Sequence, residues 1–252
     1  MITFPSKYLP ETHAYIANCT TKPDAVWTVA LNTLIQTLII DGIWPLLDTF
    51  WIFATPSQQA ARINVVKPFG TQITEVSSPT WTALQGYHSN GTTSYLNTNY
   101  NPVTTANNYT QNNASFGFYD RTIVTTGNPI AMGTPAGDNY TRYLQVHANS
   151  TNANYTINEN NTIFGNFANP GFPVGLYSAA RTTSSSMQMY HNGSLLNTNS
   201  ATSISVTSVN FVLLQGNGAN FDQSQMAMAF AGSGSINQLN LYNAFQAFMT
   251  TL

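Results

Sequence analysis

The sequence predicts a mainly β protein: an antiparallel β-sandwich preceded by a small helical and extended module and closed by a short helix. Three observations carry this reading. From about residue 80 onward, apolar residues recur with period two in a series of short runs. Asn192-Gly193 joins two such runs in "SMQMYHNGSLLNT", the pair that best accommodates the positive φ angles of a two-residue hairpin turn. Helical spacing is confined to one stretch near each end.

In chain order, Lys22-Pro23-Asp24 precedes "AVWTVALNTLIQTLII", where Val26, Val29, Ala30, Leu34 and Leu38 fall at helical spacing. Asp24 is placed to cap that helix and Gly42 to end it. "DTFWIFAT" and "ARINVVK", bounded by Pro56 and Pro68, read as two strands or buried extended segments. Residues 1–79 are therefore expected to form an arm-and-helix module, and residues 80–252 the sandwich.

The sandwich opens with "GYHSNGTTSYLNTNYNP": Asn90-Gly91 turns the chain, Thr92 to Tyr100 extends it, and Pro102, which cannot donate to a ladder, ends it. Leu96 and Tyr100 then share a face. In "ASFGFYD", Ala114, Phe116 and Phe118 share one side; in "RYLQVHA", Leu144 and Val146 point one way and Tyr143, Gln145 and His147 the other. Each predicts a strand with one buried and one wetter face. "SISVTS", "VNFVLLQG" and "QMAMAFAG" continue the pattern, the last with Met226, Met228 and Phe230 opposite Ala227, Ala229 and Ala231. Ser235, with Gln238 three residues on, predicts the start of the final helix, whose stripe is Leu241, Phe245, Phe248, Met249 and Leu252.

Composition narrows the function. Seven lysines and arginines against nine aspartates and glutamates leave a net charge of -2. No basic face exists to neutralise phosphates or meet an anionic membrane, so neither nucleic acid nor membrane is an expected partner. Cys19 is the single cysteine, which excludes an intrachain disulfide. The first residues lack the pattern of a signal peptide, and the apolar region Leu31 to Ala54 is broken by Asp41, Pro45 and Asp48 short of a membrane span.

The early strand after a Gly-containing turn, the hairpin carrying Tyr190, Asn192, Gly193 and Leu195, and the ending Ala231, Gly232 and Ser235 to Tyr242 resemble a concanavalin A-like jelly roll of the laminin-G/pentraxin type over residues 80–252. The preceding helix, with "DGIWPLLDTFWIFA" and "ARINVVKP", resembles modules of tailed-phage structural proteins: head fibres, decoration proteins and tail proteins. The resemblance implies a non-enzymatic virion component, assembled in the host cytoplasm, that displays a lectin-like sandwich. Its partners would be other virion proteins and copies of itself, with Tyr8, Tyr15, Ile16 and Trp27 as anchors. The alternative is a carbohydrate-binding module for glycan or host-surface adhesion.

The chemistry-bearing residues agree with a non-enzyme without cofactor or metal. Glycoside hydrolysis needs two converging carboxyl groups. Beyond residue 80 the acids Asp120, Asp138, Glu159 and Asp222 are isolated in sequence, so only the fold could pair them. Asp138 and Asn139 could join a calcium loop, but lack the dense acidic run such a loop uses. Tyr143, Gln145 and His147 are the candidate ligand contacts. The plainer reading of His147 is an ordinary surface residue.

Overall fold

The computed structural model describes residues 7–124, 129–135, 143–145, 152–159, 165–168 and 173–252. Helices α1 (Pro10–Asn18) and α2 (Ala25–Ile40) lead into strand β1 (Leu47–Ile52) and the single turn α3 (Gln58–Ala61). Next come β2 (Thr74–Val76), β3 (Thr80–Thr82), β4 (Gly86–His88), β5 (Tyr95–Asn97), the turn α4 (Pro102–Thr105) and β6 (Ala114–Thr122). Short strands β7 (Met132–Gly133), β8 (Tyr143–Gln145), β9 (Asn152–Tyr155) and β10 (Gly165–Ala168) precede β11 (Gly175–Arg181), β12 (Ser186–His191) and β13 (Ser194–Ser200). The chain ends through β14 (Val212–Leu213), β15 (Gln215–Gly216), β16 (Asn220–Phe221), β17 (Gln225–Gly232) and α5 (Gln238–Met249).

Two antiparallel sheets result. One runs β13-β12-β11-β6-β17-β4-β3, with β1 also paired to β17, and the other runs β10-β9-β8-β7-β14-β5-β2. Phe116, Phe118, Tyr177 and Met189 of the first face Leu96, Met132, Tyr155 and Leu213 of the second across one core. A second core lies on the first sheet's other face, where Tyr119, Leu176, Met228 and Phe230 pack under α2 and α5. The protein is thus a β-sandwich with a helical layer on one side. Strands before residue 80 enter both sheets, β1 the first and β2 the second. The compositional change near residue 80 therefore corresponds to no gap in the packing.

The helical layer corrects the expectation of one wet face per strand. Ala114 to Asp120 of β6 and every residue of β17 are buried. In β17 the expected faces are also rearranged: Met226 joins Ala229 and Ala231 in the inter-sheet core, while Ala227, Met228 and Phe230 join the helical core. The cause is a bulge. Met226 pairs with Asp120 and Met228 with Tyr119, so Ala227 is an extra residue that inverts the alternation.

Helix α2 begins where expected, with the Asp24 carboxylate accepting the Trp27 N–H at 2.8 Å. Its buried side is Trp27, Leu31, Leu34, Ile35 and Leu38, whereas Val26 and Val29 are exposed. The helix carries no charge and is apolar nearly all round, so residue spacing could not select the inner face. The α5 cap is Asn237, accepting from the Asn240 N–H at 3.1 Å, two residues beyond the expected Ser235. Gln238 is drawn instead to the Ser178 hydroxyl at 2.8 Å. "SISVTS" joins no ladder; the hairpin's second strand ends at Ser200.

The Asn192-Gly193 turn forms as expected, with φ of 49° and 77°. The Asn192 side chain accepts the Leu176 N–H at 2.8 Å, tying the turn to β11. Gly193 lies against α5: a Cβ there would sit 2.3 Å from the Leu239 Cα. Gly193→Ala should therefore both strain the turn and push α5 off the sheet, costing about 2–4 kcal/mol in a urea titration. A loss below about 0.5 kcal/mol would contradict this packing.

Candidate functional site

A cleft of about 240 Å³ opens at the edge of the sandwich, lined in part by Thr49 and Trp51 of β1, Lys67 and Gly70, and Asn99 and Tyr100 beyond β5. Its walls come from both sheets. Thr49 and Trp51 pair with Ala231 and Ala229 of β17, which puts them on the inter-sheet side. β1 carries a bulge at Asp48, between Leu47 and Thr49.

That bulge frees the Asp48 carboxylate to act as a clamp. It accepts the N–H groups of Asn107, Asn108 and Tyr109 at 2.8, 3.0 and 2.8 Å, and the Tyr100 hydroxyl at 3.1 Å. Burial first, then the Asp48 charge, push the Tyr100 phenol well above its usual range, so it stays a donor to Asp48. Asn64 accepts the N–H groups of Phe50 and Val66, each at 3.1 Å, holding the 64–67 segment beside β1. Asn99 adopts φ of 55° and donates to the Gln72 carbonyl at 2.8 Å. The walls are held before any ligand arrives.

Two groups in the cleft are not satisfied. Trp51 is 1% exposed and Thr49 3%, yet neither the indole N–H nor the hydroxyl has a hydrogen-bond partner. An unmet buried donor costs about 1–3 kcal/mol, so each of the two is a place for an acceptor, an ordered water or a ligand atom. Lys67 donates to the Thr105 carbonyl at 3.3 Å and, among the described residues, makes no ion pair. Both donors lie just beneath the cleft surface, and the one carboxylate that lines it, Asp48, is already hydrogen-bonded.

A second surface is apolar. α2 and α5 leave between them an open groove of about 540 Å³, walled by Val26, Val29, Thr33, Ala244 and Ala247 with no charged residue. Val26 is 67% exposed and Ile40, further along α2, 75%. Among the described residues no helix is long and apolar enough to cross a membrane.

The expected site residues are not among those lining the cleft. Tyr143 and Gln145 lie in β8, on the opposite sheet from β1, and His147 lies outside the described residues, as do Asp138 and Asn139. Of the expected anchors, Tyr15 and Trp27 are spent inside this chain: their rings stack at 5.8 Å, the Tyr15 hydroxyl donates to the Ala60 carbonyl and the Trp27 indole to that of Ala54. Tyr8 and Ile16 are half-buried on and beside α1. The cleft residues were not singled out by spacing, because they come from three separated stretches. Trp51 and Tyr100 read as core aromatics, which they also are.

The fold does bring two carboxylates together. Asp120 on β6 and Asp222 interact, and both are fully buried. Burial first, then Asp222, push Asp120 well above the usual carboxylate range. Among the described residues, no three His, Cys, Asp or Glu side chains gather as a metal ion would require.

No family model matches the chain, and no curated protein does. Solved structures match in fold. The receptor-binding domain of botulinum neurotoxin C/D mosaic serotype aligns at 12% identity and TM-score 0.52, over 76% of this chain and 47% of that one. The serotype D ligand-binding domain in complex with N-acetylneuraminic acid aligns at 11% and 0.57, over 81% and 52%. The binding domain of botulinum neurotoxin DC in complex with rat synaptotagmin II aligns at 12% and 0.55, over 82% and 52%. The chain spans about half the length of these chains.

The raised Asp120 has a consequence for stability. A carboxyl whose folded pKa exceeds its unfolded one contributes stability below the unfolded value, and that stability is lost as pH rises through the folded pKa. Asp120→Asn should remove this loss: the variant should be more stable than the parent at neutral pH, with the gap closing toward acid. Thermal melts across pH check it, and a parent whose Asp120-dependent stability grows with pH would contradict it.

Proposed function

We propose that this is a non-catalytic binding protein whose edge cleft holds a saccharide. The observation that supports this reading best is the pair of unpartnered buried donors, the Thr49 hydroxyl and the Trp51 indole N–H, in a cleft of preset shape. Hydroxyl-rich ligands supply the acceptors these groups lack, and a few placed donors in a small concavity are how such ligands are oriented. A similar fold was solved with N-acetylneuraminic acid, which fits the reading without locating the site. Replacing Thr49 by Val keeps the shape and deletes the unmet hydroxyl. Thr49→Val should leave the melting temperature unchanged or raised while reducing saccharide affinity about tenfold by calorimetry. Unchanged affinity would sink the assignment.

A second reading is favoured by the apolar α2–α5 groove: the chain as a virion component, a head-fibre, decoration or tail protein, attached through that face. Large exposed apolar patches mark interaction surfaces. α1 packs on α2, where the Thr12 hydroxyl donates to Asn32 at 3.0 Å, and the reading assigns the half-buried Tyr8 and Ile16 to the same attachment. Charging the exposed Val26 and Val29 with lysine should alter stability by no more than about 0.5 kcal/mol yet abolish incorporation into particles. Full incorporation of the double variant would contradict attachment through α2.

A further inference from the structure

We infer that Phe69 is the stacking platform of the cleft and that the site accepts a single, terminal sugar ring; this rests on the saccharide reading above. Among the residues whose burial is described, Phe69 is the one exposed Phe, Tyr or Trp, at 76%, while the phenyl rings of the two cores are buried. Its place is fixed by its neighbours. Pro68 is buried, and the Gly70 N–H donates to the Lys67 carbonyl at 2.9 Å, a tight turn with Phe69 near its apex. Lys67, Gly70 and Thr71 on either side line the cleft; Phe69 itself is not part of the lining, and on this inference its exposed ring stands at the mouth.

A pyranose has two chemically different aspects, a C–H face and a rim of hydroxyls. The mouth supplies an aromatic face for the first. The interior supplies the Thr49 hydroxyl and the Trp51 indole N–H for the second. The volume, about 240 Å³, is below the roughly 300–1,000 Å³ that drug-sized ligands fill, which suits one ring and not a stretch of chain.

The test uses the full chain labelled with nitrogen-15, following the Trp51 indole N–H, which is identified by its disappearance in Trp51→Phe. The probes are methyl glycosides of glucose, galactose, mannose and their 2-acetamido derivatives, then the trisaccharide ending in whichever unit binds. The expected result is a saturable shift of the Trp51 indole signal with one of them. Phe69→Ala should weaken it about tenfold, Phe69→Tyr should retain it, and the trisaccharide should bind no tighter than the single unit. Binding that shifts Trp51 but is indifferent to Phe69→Ala overturns the platform and leaves the cleft reading standing. A trisaccharide at least tenfold tighter than the single unit overturns the terminal-ring inference. No shift of Trp51 with any probe overturns the cleft reading and this inference together.

Discussion

The structure depends on a sheet that is buried from both sides. β17 lies between β6 and β1, with the second sheet across one face and α2 and α5 across the other. Charge and polarity are costly in that position, and β17 has the uncharged sequence "QMAMAFAG", buried throughout. Its small residues let neighbouring layers approach. Its bulge at Ala227 distributes methionines and phenylalanine between two cores that a regular strand would have served unequally.

From that strand the cleft follows. β1 comes from the N-terminal quarter of the chain yet pairs with β17 near the C-terminus, so the inner face of β1 becomes a wall between the sheets at their edge. The Asp48 bulge turns one carboxylate toward the 107–109 backbone and leaves Thr49 and Trp51 facing the opening. The site is stiff because its supports are structural. It is also costly because two donors wait unpaired, the kind of local loss of stability expected where a ligand is to be gained.

Much of the architecture was legible in the chain. Asn192-Gly193 specifies its turn through backbone sterics alone, and Asp24 specifies the α2 start through one local hydrogen bond, so both can be read without the fold. What was not legible depends on partners distant in sequence. The faces of α2 and β17 are decided by what covers them, and period alone cannot see a bulge or a helical layer. Asp120 and Asp222 are 102 positions apart in numbering and meet only through the β6–β17 pairing and the turn before it. The cleft draws on residues 48–51, 67–71 and 98–100, none of which forms a motif. One local signal existed: "KPFGT" places a phenylalanine between a proline and a glycine, at a position where a loop residue would ordinarily be polar.

The N-terminal strand β1 is part of the sandwich and lines its cleft. Native-state hydrogen exchange tests this directly, because it measures the opening free energy of each backbone amide. The amides that bond β17 from this stretch, such as Phe53, which donates to the Ala227 carbonyl at 2.8 Å, should exchange only with global unfolding, at the same free energy as β6 and β17. If residues 47–76 opened at a clearly lower free energy while β6 and β17 stayed protected, the N-terminal part would be a separable module and the cleft would lose its wall.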